Sequence, residues 1–212
     1  MRSWLTLSSK ARAAGKRLRS AVIASVFTGL QIATPLALVI NPASAQAAVT
    51  PTVTPNPTLS ESCGLDIALV LDNSNSIEAA DLAQMKSVMT TFTNALSGTS
   101  TQFSVTRFAS TANVIQSFTS SISSVNSAIN GIPQNGGFTN WEDGLAKANS
   151  TLPNRSNPNL VIFASDGDPT ASSAGPNDTG QPNAHLSPAI TQANAIKASG
   201  TRMLVLGIGS SP

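Results

Sequence analysis

The sequence predicts an α/β domain with a doubly wound, mostly parallel sheet, one antiparallel edge strand and helices on both faces. Short apolar runs of strand length alternate with helical patterns across short links, as is typical of parallel sheets. Two consecutive strand patterns, residues 102–108 and 113–118, are separated only by residues 109–112, so we expect an antiparallel hairpin. The last pattern is an apolar strand at residues 203–208, which a doubly wound domain would cover with a further helix. We therefore expect the sequence to be truncated, with the last helix and strand elements of the fold missing.

The predicted domain begins with a buried strand, a tight loop and a long helix. Residues 65–71 are an apolar run that is too short for a membrane span, which indicates a buried strand. The chain turns polar at Asp72, and apolar residues then recur at helical spacing up to Gly98, a typical helix stop. These apolar residues are Ile77, Leu82, Met85, Met89, Phe92 and Leu96. A shorter helix is predicted at residues 121–132, after the hairpin.

A second strand that ends in an aspartate follows the hairpin. The pair Gly136-Gly137 opens a loop, and residues 139–142 then have the capping-box form of a helix start. Residues 160–164 are again an apolar run, followed directly by Ser165 and Asp166. The second buried strand is therefore predicted to end as the first one does.

The last third of the chain is predicted to hold one loop, one helix and one strand. Residues 171–186 are rich in Gly, Pro and Asn, which predicts a long polar loop. Ser187 is a good N-cap, and Pro188 suits the first position of a helix that ends near Ser199.

Positive charge is confined to the beginning of the chain. The 212 residues carry a formal net charge of +2, but six of the twelve basic residues precede residue 20 and all ten acidic residues follow residue 60. The rest of the chain therefore has a formal charge of −4. This distribution leaves no basic patch, so a nucleic-acid partner is not expected.

Residues 1–47 have the layout of a secretory signal peptide. A basic segment precedes a weakly polar run at residues 21–40, and the small residues after it fit cleavage following Ala45 or Ala47. The alternative is an uncleaved anchor, because the run is about long enough to span a bilayer; its internal Thr, Gln and Pro residues weaken that interpretation. We predict a secreted or cell-surface protein that meets a membrane only through this leader or through a missing C-terminal anchor.

The leader is followed by a Pro/Thr-rich linker at residues 48–62 and by the domain itself at residues 63–212. The linker has no apolar period and is expected to be extended and to hold the domain away from its point of attachment. The single cysteine, Cys63, indicates a disulfide partner outside the chain, a free thiol or a lipid anchor. The polar residues 60–62 before it argue against the anchor.

Asp72 and Asp166 are expected to lie close together, because the carboxyl ends of parallel strands meet at one edge of a sheet and ligands bind there. Two neighbouring carboxylates raise each other's pKa unless a cation lies between them. Ser74, Ser76 and Thr139 can add neutral oxygens. This donor set predicts a hard cation, with Mg²⁺ as first choice and Mn²⁺ or Ca²⁺ as alternatives. An open coordination position could accept an acidic side chain of a partner.

Three segments resemble the parts of the metal-ion-dependent adhesion site (MIDAS) of von Willebrand factor type A domains, in the order of that family. They are Asp72-x-Ser74-x-Ser76 after a strand, residues 136–140 before a helix, and residues 163–169 after another strand. The resemblance covers about residues 63–212. Asn75 stands where the family often has Gly, and Asn tolerates left-handed backbone angles, so the loop can still form.

The resemblance implies a Rossmann-like domain with a cation site. Ser74, Ser76 and Thr139 would ligate the ion, while Asp72 and Asp166 would act directly or through water. The usual role of the family is non-catalytic adhesion to a protein or to another surface ligand. We therefore expect an adhesion or ligand-binding module, and not an enzyme.

Each of these residues also has a simpler explanation. Asn75 or Ser76 could cap the first helix, and Thr139 with Glu142 could cap a later one. Capping does not explain why two apolar strands both end in aspartate, so we favour the metal site. Three further residues are not expected to be ligands. Asp168 is expected to be a turn residue, His185 to be solvated and Trp141 to pack beside the site.

Two other functional classes stay open from the sequence. A strand-end aspartate could serve a Mg²⁺-dependent phosphatase or phosphotransfer enzyme as nucleophile. Against this, Ser74 occupies the position where a second acid would be expected. Hydrolysis by a Ser or Cys nucleophile is also disfavoured, because His185 is the only candidate base. In the third class, a structural surface module, the cation only braces the loops.

Overall fold

The computed structural model describes residues 51–58, 64–134, 136–176 and 184–209, which all lie in the unit formed by residues 45–212. The predicted signal peptide and Cys63 lie outside the described residues. The strands are β1 (Asp66–Asp72), β2 (Gln102–Phe108), β3 (Ala112–Thr119), β4 (Asn159–Ser165), β5 (Ala171–Ser172), β6 (Gly175–Pro176) and β7 (Arg202–Gly207). The helices are α1 (Ala79–Ala95), α2 (Ile122–Asn130), α3 (Trp141–Thr151) and α4 (Leu186–Ala198).

Five strands form one sheet in the order β3-β2-β1-β4-β7. β2, β1, β4 and β7 run parallel, and β3 pairs antiparallel with β2 at one edge. The predicted mixed sheet is therefore confirmed. From β1 the chain first moves to β2 on one side and later returns to β4 on the other, so the direction of winding changes between β1 and β4. In open α/β sheets, ligands bind outside the carboxyl ends of the strands at such a change of direction.

β1, the central strand of the sheet, is buried because helices cover both of its faces. Ile67, Leu69 and Leu71 pack with α1 and α2 on one face. Ala68 and Val70 alternate with them and pack with α3 and α4 on the other. A strand that is apolar on both faces can place a polar side chain only at its end, which is where Asp72 lies.

Three local predictions differ from the structure. α1 begins after Glu78, so neither Asn75 nor Ser76 is its N-cap. α4 begins at Leu186 with His185 as N-cap, so Ser187 is inside the helix. The loop predicted at residues 171–186 contains the small hairpin β5–β6, whose two-residue strands are too short to give a sequence pattern; residues 177–183 lie outside the described part of the chain.

Among the described strands, β7 lies at the end of the sheet opposite β3, and its Leu204 and Val205 are 48% and 64% exposed. Residues 51–58 form no helix or strand and are hydrogen-bonded to α4 and β7. The sequence pattern does not predict this contact. Within the described ranges, no helix has the length and apolar character that crossing a bilayer requires.

Candidate metal site

Asp72 is the last residue of β1, and its side chain is fully buried. Its Oδ1 accepts a hydrogen bond from the backbone N–H of Ser74 (2.8 Å), and its Oδ2 accepts one from Ser165 Oγ (2.6 Å). Burial raises the pKa of Asp72, the hydrogen bonds from Ser165 and Ser74 lower it, and the charge of Asp166 raises it further. Because the net shift is upward, the ionised carboxylate lacks a sufficient positive partner in the protein alone.

A chain of side-chain oxygens connects the end of β1 with the loop after β4. Ser74 Oγ lies 3.0 Å from Ser76 Oγ, and Ser76 Oγ donates to Asp166 Oδ1 at 2.9 Å. With the bond from Ser74 to Asp72, four of the five predicted ligands lie in one hydrogen-bonded network. The predicted juxtaposition of the two aspartate-bearing strand ends is therefore present in the structure.

Thr139, the fifth predicted ligand, lies in a loop fixed from two sides. The backbone N–H of Asn75 donates to the carbonyl of Gly137 (3.1 Å), which joins this loop to the one after β1. Thr170 Oγ1 accepts from the backbone N–H of Thr139 (2.9 Å), and the N–H of Thr170 donates back to the Thr139 carbonyl (2.9 Å). The hydroxyl of Thr139 makes no hydrogen bond to any described residue, although the residue is only 4% exposed. This oxygen is thus available as a ligand.

The capping explanations for Ser76 and Thr139 are wrong. Ser76 directs its hydroxyl to Asp166 and not to the start of α1. At the start of α3, the side chain of Asn140 accepts from the backbone N–H of Asp143 at 3.0 Å. The glutamate of the supposed capping box, Glu142, instead accepts from the backbone N–H and the hydroxyl of Ser173. The hydroxyls of the predicted site are therefore not needed as caps.

Ser165 and Trp141 orient Asp72, a role that the sequence does not predict. Ser165 Oγ donates to Asp72 Oδ2 and accepts from the indole Nε1 of Trp141 at 3.1 Å. The indole ring packs edge-on against Phe163 with centroids 5.5 Å apart, which confirms the predicted packing beside the site. The only sequence signal for this relay is a serine directly before Asp166.

The remaining polar residues near the site have structural contacts of their own. His185 is half-buried, and its Nδ1 lies 3.0 Å from Ser172 Oγ, so the prediction of a solvated histidine is wrong. Asp168 is exposed, in agreement with a turn residue.

The donor set fits a small hard cation. Octahedral Mg²⁺ with bonds of 2.0–2.1 Å places adjacent ligand oxygens about 2.9 Å apart, close to the spacings of Ser76 Oγ from Ser74 Oγ and from Asp166 Oδ1. Each spacing is also that of an ordinary hydrogen bond, so the fit rests on the convergence of oxygens. No group of three or more His, Cys, Asp or Glu side chains with metal-binding geometry occurs in the described ranges. A hydroxyl-rich site with two carboxylates suits Mg²⁺ or Mn²⁺ better than a soft metal.

Removing the hydroxyl of Ser165 is expected to weaken cation binding without removing a ligand. Ser165→Ala leaves Asp72 Oδ2 without its donor, and loss of a group that orients a ligand typically costs about 10- to 100-fold in metal affinity. Calorimetric titration of the full chain with Mg²⁺ measures this. Ser165→Thr keeps the hydroxyl and should retain most of the affinity, whereas equal affinity of wild type and Ser165→Ala would contradict the relay.

Comparison with known proteins agrees with this geometry. The sequence model of the von Willebrand factor type A domain matches residues 67–168, which include both aspartates and all three hydroxyl residues of the site. No curated protein matches the sequence.

Several solved structures have the same fold. BatB from Bacteroides thetaiotaomicron is 21% identical over 69% of this chain and 66% of that chain, with a TM-score of 0.54. The pilus adhesin SpaC from Lactobacillus rhamnosus GG is 18% identical over 72% of this chain and 25% of that chain, with a TM-score of 0.57. Proximal thread matrix protein 1 from the mussel byssus, solved with a zinc-occupied MIDAS motif, is 27% identical over 68% of this chain and 36% of that chain, with a TM-score of 0.54.

This chain thus spans no more than 66% of the length of any of these three proteins. What they share with it is the fold of this domain. The sheet order, the two strand-end aspartates and the family match lead to one assignment: residues 67–168 belong to the von Willebrand factor type A domain family.

Proposed function

We propose that this protein is an exported or cell-surface adhesion module that binds Mg²⁺ through Asp72, Ser74, Ser76, Thr139 and Asp166. The open coordination position of the ion would engage a carboxylate of a protein or surface partner. The observation that carries the proposal is the network of hydroxyl and carboxylate oxygens at the winding change between β1 and β4.

Charge balance explains why the partner group would be acidic. Asp72 and Asp166 together neutralise a divalent ion, and the three hydroxyl groups add no charge. Because the formal charge of the occupied site is then zero and not negative, an open coordination position can accept one further anion without net charge repulsion. A site built from three or four carboxylates would instead repel an acidic partner. The oxygen donors favour Mg²⁺, with Mn²⁺ as a close substitute and Ca²⁺ as a larger one.

The comparisons support an extracellular role. SpaC is a pilus adhesin, and the mussel protein is a thread matrix protein whose MIDAS motif holds zinc. The leader at residues 1–47 has the pattern of an export signal. These features favour a secreted or surface location and a binding role.

The enzymatic alternative receives no support from the described lysines. A phosphatase that used Asp72 as nucleophile would benefit from a lysine that contacts the phosphate. Of the three described lysines, Lys86 donates to the carbonyl of Asn130 and Lys197 donates to the carbonyl of Thr54, while Lys147 is exposed in the second half of α3. We therefore propose a non-catalytic module; phosphate-ester turnover that is lost in Asp72→Asn would show otherwise.

Water-proton relaxation with Mn²⁺ tests both the ion and its open position. Binding of Mn²⁺ to the full chain should enhance the relaxation rate of water protons, because water fills the coordination positions that the protein leaves open. A short peptide with a glutamate should lower this enhancement by displacing water, whereas the matched glutamine peptide should not. Absence of any Mn²⁺ binding would contradict the metal site, and equal effects of the two peptides would contradict recognition of a carboxylate.

A further inference from the structure

We propose that the side-chain amide of Asn75 recognises the partner's carboxylate at the metal site, by donating a hydrogen bond to the carboxylate oxygen that does not bind the ion. This role rests on the proposed function and adds to it a residue that recognises the ligand of the bound ion. Asn75 stands between two of the proposed ligands, Ser74 and Ser76, and is exposed, whereas Asp72 is fully buried. The amide therefore lies on the solvent side of the site, from which a partner would approach.

The amide of Asn75 lies where the loop after β1 meets the loop before α3. The backbone N–H of Asn75 donates to the carbonyl of Gly137 (3.1 Å), so the two loops are joined at this residue. The side chain of Asn75 then lies against Gly136, because a Cβ at position 136 would be 2.9 Å from Asn75 Oδ1 and 3.6 Å from its Nδ2. Glycine at position 136 thus makes room for the amide, whose oxygen is nearer to the second loop than its nitrogen is.

Asn75 differs from the other amide side chains around the site in its hydrogen bonding. Three amides of these loops each donate to a backbone carbonyl at 3.1–3.2 Å and so hold the loops together; they are those of Asn73, Gln134 and Asn140. The Nδ2 group of Asn75 makes no hydrogen bond to any residue in the described part of the chain. It is therefore available to donate to a ligand.

A carboxylate that binds the ion through one oxygen leaves its second oxygen in need of a hydrogen-bond donor. The loops of the site, residues 72–78, 136–140 and 165–170, contain no Lys or Arg that could supply one. An asparagine amide has two N–H donors and no charge, so it can bind the second oxygen without repelling the cation. A hydrogen bond to an ionised oxygen is about twice as strong as one between neutral groups. Asn75 therefore favours a partner that keeps both carboxylate oxygens at the site.

The amide is a property of this chain and not of the family's ion site. The family often has glycine at the position of Asn75, and glycine has no side-chain donor. Removing the amide is therefore expected to leave the affinity for the ion unaltered and to weaken only the binding of the partner's carboxylate.

Displacement of water from the Mn²⁺-loaded full chain by the glutamate peptide tests the role of Asn75. The measured quantity is the peptide concentration that halves the relaxation enhancement. Asn75→Gly removes a hydrogen bond to a charged group, so this concentration should rise about 10-fold while Mn²⁺ affinity stays that of wild type. Asn75→Asp should raise it further, because a second carboxylate repels the peptide. Asn154→Gly is the matched control, since Asn154 is an exposed asparagine in the turn between α3 and β4.

Gly136→Ala gives a second test that leaves Asn75 in place. The three atoms nearest to the added Cβ all belong to the Asn75 side chain, which must therefore move away. The variant should weaken peptide binding in the wild-type background. In the Asn75→Gly background it should have no further effect, because the amide that it displaces is then absent.

The outcomes distinguish the role of Asn75 from the proposed function. If the glutamate peptide displaces water equally well from wild type and Asn75→Gly, the role of Asn75 is overturned and the proposed function stands. An equal effect of Gly136→Ala in the two backgrounds would overturn it as well. So would a loss of Mn²⁺ affinity in Asn75→Gly as large as its loss of peptide affinity, because Asn75 would then act on the ion. Failure of wild type to bind Mn²⁺ would contradict the proposed function and the role of Asn75 together.

Discussion

Asp72→Asn is expected to abolish stabilisation by Mg²⁺ while the metal-free domain stays folded. Wild type at a Mg²⁺ concentration 100 times its Kd should gain about 2.7 kcal/mol in the free energy of unfolding, and the variant should gain none. Without Mg²⁺ the variant should be as stable as wild type or more so. Burial raises the pKa of Asp72, so the ionised carboxylate disfavours the folded state, and an amide of the same shape removes that cost.

Thermal unfolding with and without Mg²⁺ measures this, and Asp168→Asn is the matched control. Asp168 is an exposed carboxylate two residues after Asp166, so its replacement should preserve the response to Mg²⁺. If Asp72→Asn cannot fold without Mg²⁺, the site serves to brace the loops. If it is stabilised by Mg²⁺ as much as wild type, the assigned ligands are wrong.

Gly137→Ala is expected to destabilise the domain by about 1–3 kcal/mol, the typical cost of a strained backbone. Gly137 has a φ of +140°, and an added Cβ would lie 2.6 Å from Ser110 Oγ. That hydroxyl accepts from the backbone N–H of Phe138 at 2.9 Å, so moving it would disturb the loop that carries Thr139. Mg²⁺ affinity should therefore decrease together with stability.

Gly167→Ala provides the comparison in the other loop of the site. Gly167 follows Asp166 directly, has an ordinary backbone conformation and has no atom within 4 Å of an added Cβ. Urea denaturation should show a free energy of unfolding close to that of wild type for this variant. Equal stability of Gly137→Ala and Gly167→Ala would show that the loop tolerates a side chain at position 137.

The site was predictable where topology alone fixes the outcome. Two mainly apolar strands of one parallel sheet end at the same edge, and β1 and β4 are neighbours, so Asp72 and Asp166 lie close together. Ser74 and Ser76 follow one of those ends so closely that the same argument places them. The hairpin and the mixed sheet follow from equally local signals.

The relay to Asp72 was not predictable, because it depends on side chains far apart in sequence. Ser165 is 93 residues from Asp72 and 24 from Trp141, and the hydrophobic periodicity of a sequence does not indicate contacts between such distant residues. The predicted capping box was wrong for a related reason. Glu142 accepts a hydrogen bond from Ser173, and the side chain of Asn140 caps α3.

The docking of residues 51–58 on α4 and β7 was not predictable for a different reason. A Pro/Thr-rich stretch without apolar period gives no sign that it docks, because its contacts use backbone groups and two amide side chains. Asn56 and Met203 are 147 residues apart, and neither residue is unusual in its own segment. Composition therefore predicted an extended chain but not its partner.

The position of Trp141 has a practical consequence for observing the site. The sequence contains two tryptophans, Trp4 in the predicted leader and Trp141, so a processed protein would retain one indole chromophore. Its ring nitrogen is two hydrogen bonds from the Asp72 carboxylate. A cation that draws charge from this carboxylate changes the electric field at the ring, and indole emission is sensitive to that field. The protein thus carries an intrinsic fluorescent reporter next to its proposed ion.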